Sequence, residues 1–259
     1  MSKLIPALSI KNFNFYYNSR KILEGVSMNI SQNKITAMIG PSGCGKSTFL
    51  KSLNRMSELE GEVKLEGTVE FFGQNIHGKR VNLNRLRRQI SIIYGIPNLF
   101  PMSIYDNVVY GVKLIGWRPK AELDEIVEIA LKRANIWEEL KNKLHKSALE
   151  LSIGQQQGLC IARSLAVKPQ VLLIDEFCLG LDPIAIKKME ELIECLRSEL
   201  TIVFVSHNIQ QVLRLSDFTA IFQYNQNHVG NLADFGPSKR IIANSFHYRT
   251  RDSIGSYWR

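Results

Sequence analysis

The sequence predicts an α/β fold with a mainly parallel sheet, on three observations. Short apolar runs at residues 35–39 (ITAMI), 171–174 (VLLI) and 201–205 (TIVFV) are continuous rather than alternating. That is the pattern of strands buried on both faces. Each run ends on residues able to do chemistry: Gly40 and a glycine-rich loop, Asp175-Glu176, and Ser206-His207. Helical signals fill the intervals between the runs. In open α/β sheets ligands sit at the carboxyl ends of the strands, so three separate segments converge on one edge.

The remaining elements follow in order. Residues 8–17 and 67–72 alternate between apolar and polar, as antiparallel strands of a small side sheet do. A helix from residue 47 to about 57 follows the glycine loop. Residues 120–143 read as one amphipathic helix, with Leu123, Ile126, Val127, Ala130, Leu131 and Ala134 on its apolar face. A further helix over 154–167 starts after Ser152 as N-cap and stops before Pro169. Asp182-Pro183 opens another, with Pro183 at the first helical position. The expected organisation is a single domain: a core over 1–95 and 159–259 with the β subdomain at its side, and a helical insertion over 96–158.

Composition bounds the function. With 259 residues, 45% hydrophobic and 22% charged, the chain is an ordinary globular protein. Disorder, collagen and coiled coil are excluded as whole-chain descriptions. No run of about 18 apolar residues occurs, so no membrane span is expected, and the start of the chain lacks the apolar core and cleavage site of a signal peptide. Four cysteines, Cys44, Cys160, Cys178 and Cys195, form no CxxC pair and read as reduced thiols of a cytosolic protein. A net charge of +9 is compatible with nucleic acid, an anionic membrane surface or a nucleotide, without choosing among them.

Gly40-Pro41-Ser42-Gly43-Cys44-Gly45-Lys46-Ser47 fits GxxxxGK[ST], with a strand before it and a helix after it. Glycines let backbone N–H groups close around phosphate oxygens. Lys46 supplies a point charge to phosphates, and Ser47 a hydroxyl for Mg²⁺. Asp175 suits Mg²⁺, and Glu176 suits orienting or deprotonating a water. His207, at the third strand end, is placed to contact a terminal phosphate. Ser152 and Gly154 begin a helix whose free N–H groups form a second anion site, one suited to a neighbouring subunit's phosphate. The alternatives are a plain glycine turn, a solvated acidic pair, a structural histidine and a simple N-cap.

The set GPSGCGKST, LSIGQQQ, VLLIDE, LDP and SHN, in this order and spacing, resembles the ATP-binding subunit of ABC transporters over nearly the whole chain. FPMSIYDNVVYG at 100–111, QQQGLCIARSLA at 155–166, SHNIQQ at 206–211 and FGPSK at 235–239 resemble the phosphate-importer branch. The resemblance implies a P-loop NTPase of the ABC type and a head-to-tail dimer holding two ATP molecules. ATP would be bound by the loop through Gly40, Pro41, Ser42, Gly43, Cys44, Gly45, Lys46, Ser47 and Thr48. Mg²⁺ would lie on Ser47 and Asp175, with Glu176 and His207 as the catalytic pair. Ser152, Gly154 and Gln155 would reach the partner's ATP, Asp182 would lie in the dimer loop, and Tyr17 would stack on adenine. It further implies two membrane permease subunits, an indirect link to an extracytoplasmic phosphate-binding protein, no nucleic-acid partner, and a peripheral place on the cytoplasmic face of the plasma membrane.

The chain departs from the family pattern at four positions. Gly95 stands where a glutamine is expected, Ile153 replaces the first glycine of LSGGQ, Gly158 replaces a basic residue, and Phe177 replaces a proline. The first expectation is a transport ATPase whose turnover would rise if Gln were restored at 95. The second is an ATP-binding module that hydrolyses poorly and serves as a regulator or as one half of a heterodimer. A soluble ATPase acting on nucleic acid is the third; a single cassette without long coiled-coil or zinc insertions argues against it. Basic residues near the C-terminus (Lys239, Arg240, Arg249, Arg251 and Arg259) read as a solvated tail.

Overall fold

The computed structural model describes residues 6–176 and 180–248, with side chains through residue 243. Phe177, Cys178, Arg249, Arg251 and Arg259 lie outside the described residues. The chain runs β1 (Pro6–Tyr17), β2 (Arg20–Ser31), β3 (Ile35–Ile39), α1 (Lys46–Ser52), β4 (Val63–Phe71), β5 (Gln74–Asn75), α2 (Leu83–Gln89) and β6 (Ile90–Tyr94). There follow α3 (Ile104–Lys113), α4 (Lys120–Arg133), α5 (Trp137–Leu140), α6 (Ile153–Ala166), β7 (Val171–Asp175) and α7 (Pro183–Leu196). The chain continues through β8 (Thr201–Val205), α8 (Ile209–Leu215), β9 (Phe218–Tyr224), β10 (Gly230–Pro237) and α9 (Ser238–Tyr248).

Among the described residues the strands form one sheet of ten, in the order β5-β4-β1-β2-β10-β9-β3-β8-β7-β6. Strands β9, β3, β8, β7 and β6 are mutually parallel. β1 pairs antiparallel with both β2 and β4. The expected side sheet is therefore continuous with the core: β2 joins β10 through the Gly230–Leu23 and Asn231–Glu24 pairs.

The continuous apolar runs have a direct cause. Along β3, Ile35, Ala37 and Ile39 face the helices of one layer while Met38 faces the other. β7 and β8 alternate likewise, with Leu172, Ile174, Ile202 and Phe204 on the first side and Val171, Leu173, Val203 and Val205 on the second. Both faces are covered, so neither can be polar.

Two expected helices are shorter than their patterns suggested. Arg55 adopts φ 61°, ending α1 at Ser52 and leaving a 3₁₀ turn at Met56–Leu59. The stretch 120–143 breaks at Asn135, with φ 55°. The Asn135 N–H bonds Lys132 O at 2.9 Å and the Ile136 N–H bonds Leu131 O at 3.0 Å, closing α4 in a Schellman motif before α5 begins. α6 runs without interruption across the expected boundary at residue 158 and packs on α3, α4 and β6. Among the described residues no helix is long and apolar enough to cross a membrane.

His77 stacks on Phe13 with centroids 6.2 Å apart, and neither ring nitrogen has a hydrogen-bond partner among the described residues. Its Nδ1 lies 4.0 Å from Glu58 Oε1. Burial, with the Arg55 charge, pulls its pKa down to about 4, against the opposing Glu58 carboxylate. The unfolded chain thus binds this proton at a higher pH than the folded one. His77 therefore subtracts nothing above pH ~6.5, and its contribution turns destabilising as pH falls toward 4, by on the order of 3 kcal/mol. His77→Phe is expected to flatten that acid loss in chemical denaturation between pH 7 and 4.5. An equal loss in the variant would remove the histidine as its cause.

Candidate active site

The loop between β3 and α1 is held from below. Gly40 has φ 148°, and a Cβ there would stand 2.2 Å from the Phe222 carbonyl oxygen. Gly45 has φ 93°, and its Cβ would meet Leu23 Cδ2 at 2.5 Å. These positions need glycine both for backbone conformation and for the close approach of β9 and β2. Tyr224 adds a strut that the sequence reading missed, its hydroxyl donating to the Ser42 carbonyl at 3.0 Å.

Lys46 is buried, its Nζ donating to the Gly40 and Pro41 carbonyls at 2.9 and 2.8 Å. Burial pulls its pKa below the ordinary lysine range, while Cys44, Glu176 and Asp175 act in the opposite direction. Cys44 is buried beside it, and burial pushes that thiol up. Cys44, Cys160 and Cys195 are all free thiols. Thr48 follows Ser47 in the first turn of α1.

The Ser47 hydroxyl donates to Asp175 Oδ1 at 2.8 Å. Burial pushes the Asp175 carboxyl up, the Ser47 hydrogen bond opposes this, and the Glu176 charge adds to the rise. Glu176, at the end of β7, adopts the left-handed φ of 56°, rare for a residue with a side chain. Its Oε1 lies 2.9 Å from His207 Nε2, at the end of β8. The five residues predicted at the three strand ends, Lys46, Ser47, Asp175, Glu176 and His207, thus meet at one sheet edge. Hydroxyl and carboxylate oxygens side by side are the hard donor set that Mg²⁺ takes.

The other predicted residues stand elsewhere. Ser152 caps α6, accepting from the Gln155 N–H while Gln155 Oε1 accepts from the Ser152 N–H, both at 3.3 Å. Gln155 Nε2 also donates to Glu139 at 2.8 Å. These bonds stay within the helical layer. Ile153 is 53% exposed, and Gly154 packs against Ala185. Asp182 caps α7, accepting from the Ile184 and Ala185 N–H groups at 2.9 and 3.0 Å. Gly158 abuts Ile136, where a Cβ would come within 2.9 Å.

Tyr17 is half-buried at the end of β1, edge-on to Phe15. Its hydroxyl donates to Glu60 Oε2 at 2.6 Å, and Lys51 of α1 holds the other oxygen at the same distance. Burial, with Glu60, pushes the phenol well above its ordinary range. Neither Lys51 nor Glu60 carried a motif.

Gly95 lies close against the Glu176 main chain. A Cβ there would stand 2.7 Å from the Glu176 carbonyl oxygen and 3.0 Å from that of Asp175. Backbone atoms cannot swing aside, so a glutamine at 95 displaces the Glu176 main chain. Gly95→Gln is expected to slow ATP turnover, not raise it. A faster variant in a steady-state phosphate-release assay would show that this contact is dispensable.

The family profile described as ABC transporter matches residues 23–178. The phosphate import ATP-binding protein PstB 4 of Trichormus variabilis is 64% identical over 98% of both chains, as is PstB 1 of a Nostoc species. Among solved structures, cbiO1 of Clostridium perfringens, part of the ABC transporter complex cbiONQ, superposes with a TM-score of 0.78 at 27% identity, covering 95% of this chain and 94% of that one. A bacterial Atm1-family ABC exporter with ATP bound gives 0.75 at 26% identity, over 96% of this chain and 42% of that one. A profile spanning more than half of the chain, together with relatives alike over nearly its full length, shows that the chain belongs to the ABC transporter family.

Proposed function

We propose that this chain is the ATP-binding and hydrolysing subunit of an ABC importer for inorganic phosphate. The observation that carries the ATPase reading is the meeting of Lys46, Ser47, Asp175, Glu176 and His207 on one edge. The phosphate cargo is supported by the names of relatives 64% identical over almost the whole chain. Within this reading, residues 40–48 cradle the ATP phosphates and Lys46 offsets their charge. Ser47 and Asp175 hold Mg²⁺, which would neutralise charge on the phosphate oxygens when bound. Glu176 takes a proton from the attacking water, and His207 orients Glu176. Tyr17 stacks on adenine, a contact worth about 1–3 kcal/mol by analogy with nucleic-acid platforms.

Ser152, Gly154 and Gln155 serve the ATP of a second copy, and Asp182 lies in the loop between the two. Two membrane permeases and, through them, an extracytoplasmic phosphate-binding protein complete the assembly at the cytoplasmic face of the membrane. A groove of about 640 Å³ between α2, α3 and α6 supports a permease contact. Its lining mixes Arg85, Arg87, Arg88 and Arg163 with Phe100 and Tyr110, which suits a partner helix bearing carboxylates and apolar side chains.

The test is phosphate uptake into proteoliposomes holding the purified permeases and this chain, with binding protein and ATP supplied. Phosphate-stimulated hydrolysis coupled to uptake is expected. A second reading, a weakly hydrolysing regulatory or heterodimer partner, is favoured by the exposed Ile153 in place of the first glycine of LSGGQ. ATP binding without stimulated turnover in that assay would select it.

A further inference from the structure

Gln157 lies in α6, 1% exposed. Its Nε2 donates to the Tyr94 carbonyl at 2.8 Å, while its Oε1 is buried without a hydrogen-bond partner among the described residues. An unsatisfied buried amide oxygen is destabilising, and an apolar side chain of like size would avoid that cost. Packing therefore does not account for an amide here; the bond to Tyr94 does. Tyr94 ends β6 and is paired in the sheet with Asp175. The next residue, Gly95, lies against the Glu176 main chain, so closely that no Cβ fits between them. Glu176 is in turn held in a left-handed conformation and paired with His207. A continuous run of contacts thus leads from α6, the helix that Ser152 caps, through the end of β6 to Glu176.

We propose that Gln157 is a positioning residue for Glu176: its amide fixes the end of β6, and Gly95 transmits that position directly to the Glu176 backbone. This ties the orientation of α6 to that of the carboxylate, and it makes glycine at 95 a fitted contact rather than a lost side chain. The proposal rests on the ATPase reading above.

The test is steady-state and single-turnover ATP hydrolysis by the full chain with its permeases, for wild type, Gln157→Met, Glu176→Gln and the double variant. Gln157→Met is expected to lower kcat about 10- to 10²-fold, the scale of a small misplacement of a reacting group. KM for ATP and the thermal midpoint should stay near wild type. In the Glu176→Gln background the same change is expected to cause no further loss, because the two act as a unit. An unchanged kcat in folded Gln157→Met overturns the proposal, as do losses that multiply in the double variant. Should Gln157→Met not fold, Gly95→Ala decides: kcat reduced at unchanged KM supports the proposal, and a wild-type kcat overturns it. A wild-type chain that hydrolyses no ATP overturns the ATPase reading itself.

Discussion

Glu176→Gln is expected to cut ATP turnover about 10²–10³-fold, the cost of one lost transition-state contact, while ATP still binds. The amide keeps the shape of the carboxylate but accepts no proton from water and gives His207 no charged partner. Binding should survive or tighten for an electrostatic reason. The Glu176 charge helps to hold the Asp175 carboxyl up, and it lies beside the loop where a triphosphate would bring several more negative charges. Removing it lowers like-charge repulsion and favours ionised Asp175. With binding kept and hydrolysis blocked, ATP is expected to trap a closed dimer. Size-exclusion chromatography with light scattering at saturating ATP reads this directly; a persistent monomer would sink the shared-site model.

Lys46→Ala is expected to weaken ATP binding by more than about 10²-fold. Two losses combine. The triphosphate loses a buried positive charge, which in a partly desolvated site is worth more than in water. The Gly40 and Pro41 carbonyls, which now accept from the ammonium at 2.9 and 2.8 Å, lose their donor, and the loop loses its internal tether. Lys46→Arg is not expected to rescue binding, since a planar fork cannot replace a compact ammonium between two carbonyls. Titration with a fluorescent ATP analogue measures the change, and a Kd within a few-fold of wild type would remove Lys46 from the site.

Much of this was legible in the sequence. The strands β3, β7 and β8 were readable because burial on both faces leaves an unbroken apolar run. The caps at Ser152 and Asp182 were readable because a cap is local chemistry over three or four residues. β6 escaped notice although its ISIIY is as apolar as the others, because no motif marked its end. β10 was hidden by an irregular register between Leu232 and Asp234 and by its glycines.

The sequence by itself determined which residues crowd the carboxyl ends of the parallel strands, since strand direction and loop chemistry are written within a few positions. Only the tertiary structure decided that the antiparallel strands join the same sheet, that Tyr17 is bound to Glu60, and that Gly95 packs on Glu176 under the hold of Gln157. Those contacts join residues tens of positions apart. They depend on how close two backbones come, a quantity that leaves no periodic trace in the order of side chains.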